Sequence, residues 1–289
     1  MQYRHFVYST CIALLFLSIF AACQRPVDVK LDTGAPQVVV DGMVTNHSDT
    51  QRIRLTTTAA YFDNTPTPPI RGAVVQVRDN AGNTFNFTEL ATEPGTYANF
   101  NMRGQIGRTY FLTIQLQGET YQANSNLKRV PPIDSLTQEF RKARLGSPEG
   151  YYLLFWARDL PGVGDNYRFR VFRNGVLFNK PTNIQAWDDE NTDGLLFIPP
   201  IRNSFNPFQG EPNAYAIGDV VTAEIQSLDS AALRYFQILR QQTTNGGIFS
   251  NPISNVPTNI SNTNPNGRKA VGFFYATAIT KQNYIFVEK

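Results

Sequence analysis

The segment WDDENTDGLL carries oxygen-bearing side chains at a spacing that suits a metal ion. Asp189, Asn191 and Asp193 occupy alternate positions directly before a glycine. Oxygen ligands at every second residue, followed by a glycine that permits a sharp turn, form the first half of a calcium-binding loop. The bidentate glutamate of such loops is missing, because the twelfth position counted from Asp189 is Pro200. The pattern therefore indicates either a calcium site or an acidic hairpin turn.

Residues for histidine or cysteine chemistry are few. The chain has two histidines, His5 and His47, and two cysteines, Cys11 and Cys23. His5 and Cys11 lie in an apolar N-terminal segment, and His47 lies in the turn-like stretch TNHSDT. This distribution argues against a Ser-His-Asp triad, a cysteine nucleophile and a histidine-rich zinc site, so we expect no enzyme. Paired carboxylates, as in glycosidases, stay possible among five aspartates: Asp159, Asp165, Asp188, Asp189 and Asp193.

A long loop in the C-terminal half carries aromatic residues that could contact a ligand. In IRNSFNPFQGEPNAYAIGD, Phe205, Phe208 and Tyr215 stand among asparagine, proline and glycine. Aromatic faces beside amide groups commonly hold sugars or peptides, and binding loops commonly lie on a rigid β scaffold. The three residues are therefore candidate ligand contacts. The alternative is that their rings pin the loop to the underlying sheet.

The N-terminus has the layout of an export signal. Arg4 precedes the apolar run LLFLSIFAA, whose last two alanines directly precede Cys23. The run is short for a membrane-spanning helix, which needs about 20 apolar residues. Small residues before cysteine are typical of a bacterial lipoprotein signal, although Phe20 stands where leucine is usual. We expect residues 1–22 to be a lipoprotein signal peptide and Cys23 to carry the lipid anchor. An ordinary signal peptide or an N-terminal anchor helix is the alternative.

The remaining sequence predicts an all-β protein in two parts. Residues 23–36 are polar, contain proline and glycine, and are expected to form a tether. From residue 36 to 130, apolar residues alternate at period two between turn signals such as DNAG. This pattern favours an antiparallel β-sandwich of the immunoglobulin-like or transthyretin-like kind. The pair Pro131 and Pro132 predicts a boundary, after which residues 131–289 form a second β-rich domain.

The predicted second domain has one clear hairpin and one helix signal. YRFRVFRNGVLF predicts a hairpin with Asn174 and Gly175 as its two-residue turn. In SLDSAALRYFQILRQQTT, apolar residues recur at helical spacing, and Ser227 or Asp229 is a candidate N-terminal cap. We expect an amphipathic helix near residues 228–243 whose apolar stripe covers a sheet.

The order of these segments resembles a known family. The signal is followed by VVVDGMVT, GAVVQVRDNAG and GRTYFLTI, then by VPPIDSL, WDDENTDG, the helix with GGIFSNP, and finally VGFFYAT. This arrangement resembles the Bacteroidota outer-membrane lipoprotein family described as domain of unknown function 4249. The resemblance implies a place in the outer membrane beside TonB-dependent transporters, and it implies no catalytic residues.

Together these observations predict an exported, non-catalytic outer-membrane lipoprotein that faces the surface or the periplasm. We expect an accessory or ligand-binding component of a TonB-dependent uptake system, with a glycan or peptide as ligand and no cofactor other than calcium. The formal net charge of +3 and the lack of clustered basic residues argue against nucleic acid. Two alternatives stay open: a structural or adhesive surface lipoprotein, and a carbohydrate-active enzyme that uses second-domain carboxylates.

Overall fold

The structure is a computed structural model, and the residues that it describes fall into five ranges: 34–60, 65–144, 148–206, 214–244 and 255–288. The predicted signal segment, Cys23, most of the predicted tether and Phe208 lie outside these ranges. Residues 36–289 form one compact unit. The predicted fold class, mainly β with one helix, is confirmed.

Within the described ranges, the chain forms sixteen strands and one α-helix, α1 (Ser230–Thr244), besides two short 3-10 turns. In chain order the strands are β1 (Val38–Thr45), β2 (Gln51–Thr57), β3 (Val74–Asp79), β4 (Thr84–Glu89), β5 (Thr96–Asn99), β6 (Thr109–Leu116), β7 (Glu119–Asn126), β8 (Ser135–Arg141), β9 (Gly150–Trp156), β10 (Asn166–Arg173), β11 (Val176–Leu177), β12 (Gln185–Asp188), β13 (Val220–Ser227), β14 (Ser261–Asn262), β15 (Ala270–Thr277) and β16 (Ile279–Ile285).

The first sheet has nine strands in the order β14-β7-β6-β3-β4-β5-β2-β1-β15. Its side chains alternate as the period-two pattern predicts: in β1, Val40 and Val44 are buried whereas Asp41 is exposed. Buried side chains from both ends of the sheet, such as Tyr121 of β7 and Phe274 of β15, share one hydrophobic core. The sheet therefore folds over on itself as a β-sandwich around this core.

The first sheet takes strands from both predicted domains. β1 pairs in parallel with β15, from Val38 opposite Ala270 to Thr45 opposite Thr277, and β14 pairs with β7. The sandwich predicted for residues 36–130 is thus completed by residues from the predicted second domain. Local sequence patterns do not indicate this pairing, because parallel partners are joined by a long connection rather than by a turn.

The second sheet has the strand order β11-β10-β13-β16, with β12 also paired to β10, and β8 and β9 form a two-stranded sheet. A second core gathers buried side chains of β9, β10 and β13, among them Phe155, Phe169 and Ile225. The predicted hairpin is present between β10 and β11. Its turn residues Asn174 and Gly175 both have positive φ values, 52° and 81°, as a type I′ turn requires.

Helix α1 is present as predicted, and it covers the outer face of β15. Phe236 packs in a third cluster of buried side chains with Phe273 and Tyr275 of that strand. Asp229 caps the helix, because one carboxylate oxygen accepts a backbone N–H of the first turn at 2.8 Å. The other oxygen accepts the hydroxyl of Ser125 on β7 at 2.6 Å, which ties the helix to the sandwich. No helix within the described ranges is long and apolar enough to cross a membrane.

Candidate functional site

Three aspartates form an acidic cluster where two strands end. Asp159 follows β9, whereas Asp189 and Asp193 follow β12. One carboxylate oxygen from each of the three lies within 4.8 Å of the other two. Asp159 and Asp189 are buried and Asp193 is exposed. The fold therefore brings together two aspartates of the predicted calcium segment and adds a third from the loop after β9.

The carboxylates that follow β12 accept hydrogen bonds from backbone N–H groups of a neighbouring loop. Both oxygens of Asp189 accept the N–H of Gly164, at 2.9 and 3.1 Å, and one also accepts the N–H of Asp165 at 3.0 Å. Asp193 accepts the N–H of Gly162 at 2.7 Å. These bonds hold the loop after β9 against the loop after β12, which is a structural role for the acidic residues.

The surroundings of Asp159 shift the pKa of its carboxyl upward. Burial raises the pKa of its carboxyl, and the nearby charge of Asp189 raises it further. The carboxylate accepts hydrogen bonds from the Tyr167 hydroxyl at 2.5 Å and from the Gly194 N–H at 3.1 Å. Both bonds lower this pKa and so offset part of the rise. A raised pKa means that the folded state binds more protons, so this group lowers stability as the pH rises above its unfolded pKa.

Arg129 supplies the positive charge that faces this region. Its guanidinium forms a salt bridge with Asp165 at 2.7 Å and donates to the carbonyls of Pro161 and Gly162 at 2.9 Å. The hydrogen bond to Asp165 raises the pKa of Arg129, so the guanidinium stays charged. Arg129 thereby adds a second set of contacts that hold the loop after β9 in place.

The acidic cluster matches the predicted calcium ligands only in part. Asn191 is exposed, and the third carboxylate beside Asp189 and Asp193 comes from Asp159. Oxygens at these separations could share one cation, since calcium takes 6 to 8 oxygen ligands at about 2.3–2.6 Å. The hydrogen bonds, however, are those of a closed turn that holds two loops together. Calcium stays a prediction, and the turn interpretation accounts for the hydrogen bonds that the Asp189 carboxylate accepts.

Replacing Asp189 with alanine tests the two interpretations. We expect it to lower the free energy of unfolding by about 2 kcal/mol, because the buried N–H of Asp165 and the N–H of Gly164 lose their acceptor. Asp193→Ala removes one acceptor at an exposed position and is the milder control. Denaturation of both variants and the parent in calcium and in chelator checks this. Equal loss in both media supports the turn; a calcium-dependent gain in the parent that both variants lack supports the metal site.

Two of the three candidate ligand contacts, Phe205 and Tyr215, lie in the second core. Phe205 and Tyr215 are 0% and 2% exposed. The ring of Phe205 packs against that of Phe155 at 4.7 Å between centroids, and Tyr215 stacks on Phe286 at the same distance. Both rings are therefore covered by neighbouring rings, which agrees with the alternative that they pin the chain to the sheet; a ligand contact by either ring stays a prediction. Phe208 lies outside the described residues.

A cavity of about 520 Å³ lies between the first sheet, β10 and helix α1. We refer to it as the basic cavity, because arginines dominate its charged lining. The charged lining residues are Arg52, Arg54, Arg168, Arg170, Asp41 and Glu93. The aromatic lining residues are Tyr235, Phe236, Phe273 and Tyr275. No sequence pattern predicted this cavity as a site.

The strand registers place these side chains on facing surfaces. On β2, Arg52 and Arg54 alternate with buried residues and point to the outer face of the sandwich. Arg54 lies directly opposite Asp41 of β1, which in turn lies opposite Phe273 of β15. On β10, Arg168 and Arg170 alternate with buried side chains of the second core. The cavity is thus walled by two β surfaces and closed on one side by the helix.

The arginines of the basic cavity differ in how far their charge is compensated. Arg170 forms a mostly buried salt bridge with Glu224 at 3.1 Å, and Arg52 forms a half-exposed one with Glu93 at 2.6 Å. In the part of the chain that the structure describes, Arg54 and Arg168 have no salt bridge. The cavity therefore keeps one net positive charge, since Asp41 lies opposite Arg54 and no carboxylate of the described residues is paired with Arg168.

Aromatic rings hold the guanidinium of Arg168 in place. Its central carbon lies 4.1 Å from the ring centroid of Phe236, and one terminal nitrogen donates to the Tyr275 hydroxyl at 3.1 Å. Tyr235 stacks on Phe273 with centroids 4.5 Å apart. Burial raises the pKa of the Tyr235 hydroxyl, and the charge of Asp41 raises it further, so this phenol is neutral at physiological pH.

The sequence does contain a partial signal for the basic cavity. Arginines stand two residues apart in QRIRLTT and again in YRFRVFRNG, which places each pair on one face of its strand. Nothing local shows that these two faces meet. Their meeting depends on the pairing of β1 with β15 and on the position of helix α1, which only the fold reveals.

The fold and the basic cavity define an all-β protein with one helix and a concave, charged and aromatic surface between its two cores. The chain belongs to the family described as Domain of unknown function (DUF4249), whose model matches residues 24–283. No curated protein matched the chain in sequence.

Proposed function

We propose that the protein is an exported, lipid-anchored outer-membrane protein that binds a ligand without converting it, as an accessory of a TonB-dependent uptake system. The basic cavity carries the ligand-binding part of this proposal. Its volume of about 520 Å³ falls within the range of about 300–1,000 Å³ that is usual for small-molecule sites. Its lining also has the usual character of such sites, in which aromatic surface surrounds a few oriented polar groups.

The membrane anchor is supported by the sequence around Cys23. The cysteine follows a basic residue, a short apolar run and two alanines, which is the order of a lipoprotein signal. The match to the family begins at residue 24, directly after this cysteine. Lipid chains contribute about 0.8 kcal/mol per buried methylene, so several acyl chains on Cys23 hold a protein on a membrane stably.

Recognition without turnover is supported by the state of the groups that catalysis would use. His47 is half-buried, with its Nε2 atom 3.1 Å from the carbonyl oxygen of Ile279. The two buried carboxylates of the acidic cluster belong to Asp159 and Asp189, which are 0% and 2% exposed. Both accept hydrogen bonds from groups within the protein. A glycosidase instead needs two carboxyl groups that face a sugar from either side of a bond.

A pull-down from the native membrane tests the proposal. The tagged full-length protein, extracted in mild detergent, is compared with a Cys23→Ala variant, and retained proteins are identified by mass spectrometry. We expect the parent in the membrane fraction with a TonB-dependent barrel in stoichiometric amount, and both results to be lost or reduced in the variant. A lipidated protein that is retained alone contradicts the accessory role and favours an adhesive or structural one.

A further inference from the structure

We infer that the basic cavity is a binding site for a small organic anion, whose charged group lies between the arginines and whose carbon skeleton lies against the aromatic rings. This inference names the ligand class for the proposed function and rests on that proposal for its biological role. It is carried by the arrangement of charge around the basic cavity, not by the cavity's size.

The charge of the basic cavity is incompletely balanced. Four guanidinium groups line it against two carboxylates: Glu93 is paired with Arg52 at the rim, and Asp41 lies opposite Arg54 on the neighbouring strand. Glu224 behind the wall compensates Arg170. Three carboxylates thus stand against four guanidinium groups, which leaves one net positive charge, and neither Arg54 nor Arg168 forms a salt bridge within the described ranges. An anion placed between them gains two charge-assisted contacts.

Unsatisfied donors add to this argument. The Nε atoms of Arg168 and Arg170 are buried, and no acceptor for either lies among the described residues. A buried donor without an acceptor costs about 1–3 kcal/mol, and a ligand oxygen recovers this cost only if the guanidinium turns its Nε toward the cavity. Guanidinium presents its N–H groups in a planar fork that matches the oxygens of a carboxylate or a phosphate.

The aromatic residues of the basic cavity favour a ligand that also has an apolar skeleton. Arg168 is held over Phe236 and by the Tyr275 hydroxyl, so its orientation is fixed before any ligand arrives. Such preorganisation lowers the entropy lost on binding. Tyr235, itself stacked on Phe273, offers an additional ring at the cavity wall. We therefore expect a ligand that combines an anionic group with a flat or apolar skeleton, rather than a free inorganic ion.

Matched pairs of small probes test the ligand class. Benzoate, phenyl phosphate, benzamide and acetate are titrated into the full-length protein in mild detergent, and dissociation constants are measured by calorimetry or NMR. We expect benzoate and phenyl phosphate to bind at least about tenfold more tightly than neutral benzamide, and benzoate more tightly than acetate, which lacks the ring. The stronger of the two anions separates carboxylate from phosphate recognition. Binding is expected to weaken as salt rises.

Three variants locate the probe. Arg54→Gln removes an exposed, unpaired charge and is expected to weaken benzoate binding about fivefold without affecting folding. Arg168→Lys keeps the charge over Phe236 but loses the fork, and is expected to weaken binding to a similar degree. Arg234→Gln removes one charge from an exposed helix position outside the cavity lining, and is expected to leave binding unchanged.

The outcomes separate this inference from the proposed function. Anion-selective binding that falls in the first two variants and not in Arg234→Gln supports the inference. Equal binding of benzoate and benzamide, binding that no cavity variant changes, or no binding of either anion overturns it. None of these results depends on the membrane partner, so a failed pull-down with intact anion binding contradicts the uptake role alone.

Discussion

Replacing Gly272 with alanine is expected to lower the free energy of unfolding by roughly 4 kcal/mol, or to prevent folding altogether. Gly272 has φ of +91° in β15, where it lies opposite Val40 of β1. A methyl group there would lie 2.1 Å from the carbonyl oxygen of Val40 and 2.9 Å from its amide nitrogen. Backbone atoms cannot rotate away, so the two strands must separate.

The comparison with Gly82 isolates this steric clash. Gly82 has almost the same backbone conformation, with φ of +90°, but nothing lies within 4 Å of an added methyl group. Gly82→Ala is therefore expected to cost only the strain of a left-handed residue, about 1–2 kcal/mol. Chemical denaturation of both variants measures the difference. Equal losses would mean that β1 yields to the methyl group and that the parallel pair contributes little to stability.

The size of the expected effect follows from what the parallel pair does. β1 is the first strand of the compact unit, and β15 comes from near its end. Their pairing completes the nine-stranded sheet and places Phe273 and Tyr275 under helix α1. It also places Phe273 opposite Asp41 at the basic cavity. A variant that separates these strands is expected to disturb the first core, the helix and the cavity together.

Features with a local cause could be predicted from the sequence. The hairpin at Asn174 and Gly175 was predictable because both residues accept the positive φ values of its turn. The helix was predictable because its apolar stripe and its cap, Asp229, lie within a few residues of one another. The loop that carries Asp189 likewise had a spacing typical of oxygen ligands, although its third carboxylate, Asp159, comes from another strand.

Features with a non-local cause could not be predicted in this way. The parallel pairing of β1 and β15 could not be predicted from either strand, since β1 reads as an alternating segment and β15 as a short apolar run, and neither pattern identifies a partner. The basic cavity depends on that pairing, so Arg54 and Arg168 could be placed on strand faces but not opposite one another. Aromatic residues among asparagine and proline are equally compatible with a surface and with a core, and only packing decides between them.

Replacing Phe205 with alanine tests whether its ring is part of the core or a ligand contact. Phe205 is fully buried, and its ring packs against Phe155 at 4.7 Å and Phe169 at 5.6 Å between centroids. Truncating a buried phenylalanine costs about 3–5 kcal/mol, because apolar contacts are lost and a cavity is left behind. The same substitution at Phe100, which is 64% exposed, is the matched control and is expected to change stability by less than about 0.5 kcal/mol.

Denaturation midpoints and the probe titrations together distinguish a core role from a ligand role for Phe205. A core residue loses stability on truncation, and anion binding by the folded fraction stays unchanged because Phe205 does not line the basic cavity. A residue whose ring faces a ligand shows the reverse, with stability kept and binding reduced. We expect the first result, since Tyr215 also donates its hydroxyl to the Phe205 carbonyl at 2.5 Å and thereby ties the two residues together in the second core.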